Sequence, residues 1–399
     1  MSIQELTLDQ LGTVSRGRSR HRPRDAAFLF GGPYPFVQTG DVKKAALYLR
    51  DYEQTYSDAG LEQSKLWPTG TLCITIAANI AETAILGIDA CFPDSVIGFI
   101  ANPQKADARF VKYLFDAVLK MRFKAFTQGA AQDNLSQEKL LSIKFPVPKP
   151  DVQKTIADIL SAYDDLIENN RRRIGLLEEA ARLLYREWFV YFRFPGHEHV
   201  KITNGLPEGW HRCNASTVID VLSGGTPKTG NATYWDGPIG FFTPKDTTEM
   251  PYVLKTEKTI TEEGLRSCNS KLYPPETVFI TARGTVGKLN LPLVPMAMNQ
   301  SCYALRSKGH IGQRHLFLAL KAEIEQFRAH ATGAVFDAII VATFEQIPLI
   351  IPPKPLADAF ATHIDPMFDQ IGNMVQQNTQ LAEARNLLLP RLMNGEIAV

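Results

Sequence analysis

Two stretches of the chain carry an apolar residue every three or four positions. The first seam runs Val152, Ile156, Ile159, Tyr163, Leu166, Asn170, Ile174, Leu177, Ala181, Leu184 and Trp188, the spacing of a helix with one buried face. An extra step between Asn170 and Ile174 breaks the heptad, as a stutter does. The second seam carries Leu356, Phe360, Ile364, Met367, Ile371, Met374, Asn378, Leu381 and Leu388. Helices are therefore predicted from Asp151 to Phe192 and from Leu356 to Leu389. Two matching seams in one chain bury each other as an antiparallel coiled-coil pair, with Asn170 and Asn378 as polar positions that fix register. A core helix in a larger bundle is the other reading of such a seam. The 38 residues from Asp151 to Trp188 extend about 57 Å at ~1.5 Å per residue. Pro366 lies inside the second seam and predicts a kink or restart there. Asp164-Asp165 and Glu178-Glu179 read as a solvated helix face or as partner contacts.

Outside these helices the pattern changes. Short apolar runs at Thr71–Ile76 and Thr277–Thr281 read as buried strands, and Phe110–Phe115 and His315–Leu320 as helices leading into a glycine loop. These segments come in pairs because the chain repeats itself at a shift of about 205 residues. Gly32-Pro33-Tyr34-Pro35-Phe36 meets Gly237-Pro238-Ile239-Gly240-Phe241, and Asp41 meets Asp246. Thr127-Gln128-Gly129-Ala130 meets Ala331-Thr332-Gly333-Ala334, and Phe145-Pro146-Val147-Pro148 meets Ile350-Ile351-Pro352-Pro353. The expected class is α/β (α+β): two similar globules, residues 1–150 and 201–353, with helical segments at 151–200 and 354–399.

Composition narrows the reading. A 45% hydrophobic and 21% charged chain of 399 residues is ordinary for a globular protein of two or three domains. No apolar run long enough to span a bilayer is present, and the first residues do not resemble a signal sequence, so a cytoplasmic protein is expected. Cys73, Cys91, Cys213, Cys268 and Cys302 are far apart, without a CxxC pair, and read as reduced core residues. A net charge of +1 gives no overall nucleic-acid signature, but Arg16, Arg18, Arg20, His21, Arg22 and Arg24 crowd one segment. With Gly17 and Pro23 among them it is a basic loop, either a solvated one or one that follows a phosphate backbone or reaches guanine edges.

Catalytic signatures are missing. Arg283-Gly284-Thr285-Val286-Gly287-Lys288-Leu289 imitates a phosphate loop, yet Ala282 and Leu289 stand where that pattern needs glycine and Ser or Thr. No dinucleotide fingerprint, HExxH or GxSxG occurs, and the eight histidines do not cluster at ligand spacing. A duplicated globule on long helices without a catalytic constellation points to a binding protein.

The succession Leu206-Pro207-Glu208-Gly209-Trp210, Ser223-Gly224-Gly225-Thr226-Pro227-Lys228, Tyr234-Trp235-Asp236-Gly237 and Phe242-Thr243-Pro244-Lys245-Asp246 resembles the start of a target-recognition domain. The family is the specificity subunits of type I restriction-modification systems. Arg283-Gly284-Thr285-Val286-Gly287 and Thr332-Gly333 fit later motifs, and the ending from Leu387 to Ile397 fits the family's close. The first half departs from the pattern: it lacks the LPEGW-type entry, has Arg16-Gly17-Arg18-Ser19 opposite Gly224-Gly225-Thr226-Pro227, and has Ile76-Ala77-Ala78-Asn79 opposite Ala282-Arg283-Gly284-Thr285.

The resemblance implies a non-catalytic subunit whose two target-recognition domains each read one half of a split double-stranded DNA target, the helices setting the gap. Two modification (methyltransferase) subunits would dock on the helices and methylate adenine, and restriction subunits would add translocation and cleavage. S-adenosylmethionine, ATP and Mg would be carried by those partners and none by this chain. The residues expected at DNA are Arg16, Arg18, Arg20, Arg22 and Arg24 in one domain, and Thr226, Lys228, Lys245, Arg283 and Lys288 in the other. Arg171, Arg172, Arg173, Glu178, Glu179, Tyr185 and Trp188 exceed what one seam buries and are expected at the partner surface. Tyr34, Trp235 and Phe242 are aromatic candidates for base contact or for core packing. A protein-binding scaffold that never meets DNA would explain the neutral charge and the helices equally well; a self-sufficient methyltransferase or nuclease would need motifs that are missing.

Overall fold

The computed structural model describes residues 3–127, 136–332 and 338–399. Gln128-Gly129-Ala130 and Gly333-Ala334, part of the predicted glycine loops, lie outside the described residues. The chain divides into two compact units, residues 1–169 with 378–399 and residues 170–377. Each predicted globule thus takes in stretches of both long helices, because helix residues complete its core. In unit 1, Ile156, Ala157 and Leu160 join Leu72, Phe99, Phe110 and Leu392 in one buried cluster. In unit 2, Ile174, Ala181, Tyr185 and Trp188 join Val278, Phe317, Phe360, Ile364 and Ile371.

The repeat in sequence is a repeat in topology. Unit 1 has a five-stranded sheet in the order Gly12–Arg16, Val96–Ala101, Leu72–Thr75, Thr83–Leu86, Tyr48–Leu49; only the last pair is parallel. Unit 2 repeats that order with Ile219–Ser223, Cys302–Ser307, Val278–Thr281, Leu289–Pro292 and Tyr252–Val253. The central strands Leu72–Thr75 and Val278–Thr281 are buried at every residue, which is why they read as unbroken apolar runs. A second sheet is built on Phe30–Phe36 in unit 1 and on Trp235–Phe242 in unit 2. Each of these strands breaks register once against its neighbour, between Phe30 and Tyr34 and between Trp235 and Ile239. Gln4–Leu6 pairs with Phe145–Val147, and His211–Asn214 with Pro348–Ile351. Helices Ala108–Thr127 and Gln313–Ala322 cover the five-stranded sheets, as their apolar spacing predicts.

The first long helix runs Pro150–Tyr185 and ends in a π turn, Arg186–Val190. The distal helix runs Lys354–Met393 through Pro366 as one element, so it does not restart there. A proline deletes one helical donor, and here Ile364, Phe368 and Ile371 are packed in the unit 2 core on either side of it. The helices pair in opposed order: Asp164 meets Arg385 in unit 1, and Trp188 meets Phe360 and His363 in unit 2. Asp164 is not on a solvated face. It is buried, accepts from Tyr113 at 2.5 Å and pairs with Arg385. Cys73, Cys91 and Cys302 are buried as expected, but Cys213 and Cys268 are only half buried.

Candidate nucleic-acid interface

The arginine segment begins as Gly12–Arg16 leaves the sheet. Its alternation continues past the strand: Gly17 and Ser19 are buried, while Arg16, Arg18, Arg20, Arg22 and Arg24 are exposed. Alternate residues of extended backbone point to opposite sides, so Arg16, Arg18 and Arg20 share a face. The backbone beneath them is pinned. Gly17 N donates to Val96 O at 2.9 Å, Arg18 N to Phe92 O at 3.1 Å, and Arg20 N and His21 N to Gln63 Oε1 at 2.6 and 3.0 Å. Ser64 Oγ donates to Arg18 O at 2.9 Å. A Cβ on Gly17 would sit 2.3 Å from Phe92 O, and one on Gly224, its counterpart, 2.1 Å from Asn299 O. Only glycine allows this approach. Strand register sets Arg16 opposite Ser223 and Gly17 opposite Gly224, through Ile97 and Tyr303. The sequence alignment of this loop is therefore corrected by one residue.

A second turn carries the pairing partners. In unit 1, Asp94 takes Arg24 in a 2.9 Å ion pair and its carbonyl accepts Arg16 Nε at 3.1 Å. In unit 2, Gln300 stands in the same place and accepts the Thr226 hydroxyl. A hairpin closes the edge: Ile76 N donates to Ser95 O at 3.0 Å, and Ala282 N to Ser301 O at 2.8 Å. Each unit thereby gathers three loops at one end of its five-stranded sheet.

The hairpins share one backbone design. Thr75 and Thr281, both buried, accept from Glu82 N at 3.0 Å and Lys288 N at 2.9 Å through their hydroxyls, which also donate to Asn79 O and Thr285 O. Ala78 and Ala81 hold φ of 61° and 64° where Gly284 and Gly287 hold 81° and 83°. The conformation is retained and the charge is not: Ala77 and Glu82 replace Arg283 and Lys288.

The expected DNA residues are therefore placed unevenly. In unit 2, Arg283 is exposed on the hairpin, and Thr226 and Lys228 lie on the loop beside it. Lys245 is exposed next to the same turn, where Asn299 N donates to Phe242 O at 3.0 Å. Lys288 points elsewhere, into a 2.7 Å pair with Glu249. Of the aromatic candidates, Phe242 is buried, Tyr34 and Trp235 are half-buried, and Tyr34 donates to Asp58 at 3.1 Å. That bond and the Asp58 charge raise the Tyr34 pKa above its ordinary value. The partner set divides as well. Arg171, Arg172 and Arg173 are exposed, and Glu179 is held by Arg182 at 2.6 Å. Glu178 is mostly covered and paired with Lys321, while Tyr185 and Trp188 are core residues. Sequence reasoning missed Asp94, Gln300 and the exposed Phe28. The every-second-residue spacing of the arginines was the one available signal of a shared face. No group of three or more metal-ligating side chains occurs among the described residues, and none of their helices is long and apolar enough to cross a membrane.

The sequence profile of the type I restriction modification DNA specificity domain matches residues 2–179 and again 207–382. The type I restriction enzyme MjaIX specificity subunit of Methanocaldococcus jannaschii is 24% identical over 382 residues, 93% of this chain and 88% of that protein. The HindI specificity subunit of Haemophilus influenzae is 21% identical, over 65% of this chain and 70% of its own. Among solved structures, the type I restriction-modification S subunit from M. genitalium shares the fold. Its TM-score is 0.61 at 14% identity, over 98% of this chain and 96% of that one.

Proposed function

This chain belongs to the type I restriction-modification DNA specificity family, and from that premise we propose that each of its two units reads one half of a split double-stranded DNA target. It is a specificity subunit, and its role is recognition rather than catalysis. The observation that carries the split reading is the duplicated three-loop edge, whose hairpin and turn keep the same backbone hydrogen bonds in both units while the side chains and the first loop differ. A shared scaffold with divergent loops is what two different half-sites require.

In unit 1 the cations lie on Arg16, Arg18, Arg20, Arg22 and Arg24; in unit 2 they lie on Lys228, Lys245 and Arg283, with Thr226 and Gln300 between. Most of these contact phosphates and make affinity salt-sensitive, and an arginine or amide in each unit reads base edges. Lys288 acts through its pair with Glu249. Two modification subunits bind the long helices, carry S-adenosylmethionine and methylate adenine, and restriction subunits supply Mg- and ATP-dependent translocation and cleavage in a cytoplasmic assembly. The docking face includes Arg171, Arg172, Arg173 and Glu179 with the exposed Leu176 and Leu183, one heptad apart. Glu178, Tyr185 and Trp188 support that face from within unit 2.

The test is an adenine-methylation map of host DNA with the gene intact and deleted. Loss of one motif, two short blocks around a fixed gap, is the expected result. An unchanged map, with no salt-dependent duplex binding by the purified complex, would favour the protein scaffold instead.

A further inference from the structure

Phe28 is 58% exposed beside the densest cluster of cations in the chain. Its neighbours fix it from both sides. Leu29 is buried, Ser57 Oγ donates to Phe28 O at 2.7 Å, and Ser57 N donates to Leu29 O at 2.9 Å. The ring meets His21 edge-on, with centroids 5.0 Å apart, so the arginine loop and the aromatic form one surface. Arg18 and Arg20 make no ion pair among the described residues, while Arg24 is held by Asp94 and Asp25 is a nearby exposed carboxylate. The equivalent position in unit 2 is Thr233, whose carbonyl accepts the Thr261 hydroxyl at 2.9 Å. The position is anchored through its backbone, and the ring itself, beyond its edge-on contact with His21, stays open to water beside the arginine loop.

We infer that Phe28 is the apolar base contact of unit 1, meeting a base in its half-site while Arg18 and Arg20 hold the flanking phosphates. The inference rests on the split-target reading above. A phenyl ring has two ways to meet a base within a duplex: against a thymine methyl in the major groove, or as a wedge that unstacks a base step. Both read the base and neither neutralises a phosphate, so the signature differs from that of an arginine.

The experiment measures the affinity of the full chain, in complex with its modification subunits, for a duplex carrying the mapped motif over a range of salt. Phe28→Ala is expected to weaken binding on the order of tenfold at every salt concentration, with the log–log slope unchanged. Arg20→Ala is expected to lower that slope by about 1. The melting temperature of Phe28→Ala should match wild type because the ring is mostly solvated. Unchanged affinity, a lowered slope, or an equal loss on random duplex would overturn the inference. Uracil in place of thymine in the unit 1 half-site separates the two geometries. Weaker wild-type binding identifies the methyl contact; no change with brightening of a 2-aminopurine probe identifies insertion; neither response overturns both. A wild-type complex that ignores the split motif overturns the functional reading itself, a different outcome from a silent Phe28→Ala.

Discussion

His315 lies among Tyr185, Phe189 and Phe360, ring centroids 5.8, 4.5 and 5.0 Å away, and neither of its nitrogens has a partner among the described residues. Burial alone pushes its pKa down to about 3 from 6.5. The unfolded chain therefore takes up a proton below pH 6.5 that the folded chain refuses until about pH 3. Stability is full above pH 6.5 and falls through that window. At pH 5 the loss from this residue is about 2 kcal/mol, at ~1.4 kcal/mol per pH unit. His315→Phe is expected to flatten the fall between pH 7 and pH 5, read as the difference in denaturant-unfolding free energy. Equal pH dependence in the two proteins would count against it. The sequence shows His315 on an apolar helix face but not what surrounds it. Tyr185 and Trp188 illustrate the same point, since aromatics on a charged helix fit a partner face and a core equally until their neighbours are known.

At the scale of elements, the hairpins at 75–82 and 281–288 demonstrate what a backbone demands of its sequence. Two positions in each have positive φ, filled by alanine in unit 1 and glycine in unit 2. An L-residue in the left-handed region costs about 1 kcal/mol, and glycine's extra freedom in the unfolded chain returns ~0.5–1 kcal/mol of that. Gly284→Ala, with open space around its Cβ, is expected to destabilise by no more than ~0.5 kcal/mol, the strain less the returned freedom. Ala78→Gly should be neutral or stabilise by up to ~0.5 kcal/mol. Chemical denaturation of the wild type and the two variants reads the sign; a destabilised Ala78→Gly would mean that the alanine methyl makes contacts worth more than its strain. A second device joins globule to helix. Arg109 pairs with Asp107 at 2.7 Å and with Asp158 of the first helix at 2.8 Å. Arg314 pairs with Glu276 at 3.0 Å and with Asp369 of the distal helix at 2.6 Å. These two arginines occupy equivalent places in the repeat. Sequence alone does not show these pairs, since nothing local shows a carboxylate arriving from another element.

For the whole molecule, the duplication and the two long seams define what can be changed independently. Removing one heptad from both long helices together should shorten the gap in the methylated motif and leave both half-site sequences unchanged. Methylation mapping of cells carrying the shortened chain reads this directly, and altered half-sites would refute the helices' role in setting the gap. Exchange of loop chemistry between units belongs to the same logic, because one scaffold carries an arginine loop in unit 1 and a basic hairpin in unit 2.

The repeat, the paired seams, the central strands and the absence of catalytic signatures were legible in the sequence because each is local or periodic: hydrophobic spacing reports burial, and a shift of the chain against itself reports duplication. The family followed from motifs in order. Only the tertiary structure decided that Asp164 and Glu178 are paired inside their units, and that Lys288 belongs to Glu249. It alone showed that Asp94 and Gln300 occupy equivalent turns, each beside a different loop of its own unit. These facts depend on residues that are distant in sequence and adjacent in space, and no window along the chain contains both partners. The pinned arginine loop shows the boundary between the two kinds of knowledge. Its alternation is written in the sequence, but the carbonyls and the Gln63 amide that hold it extended come from elsewhere in the fold.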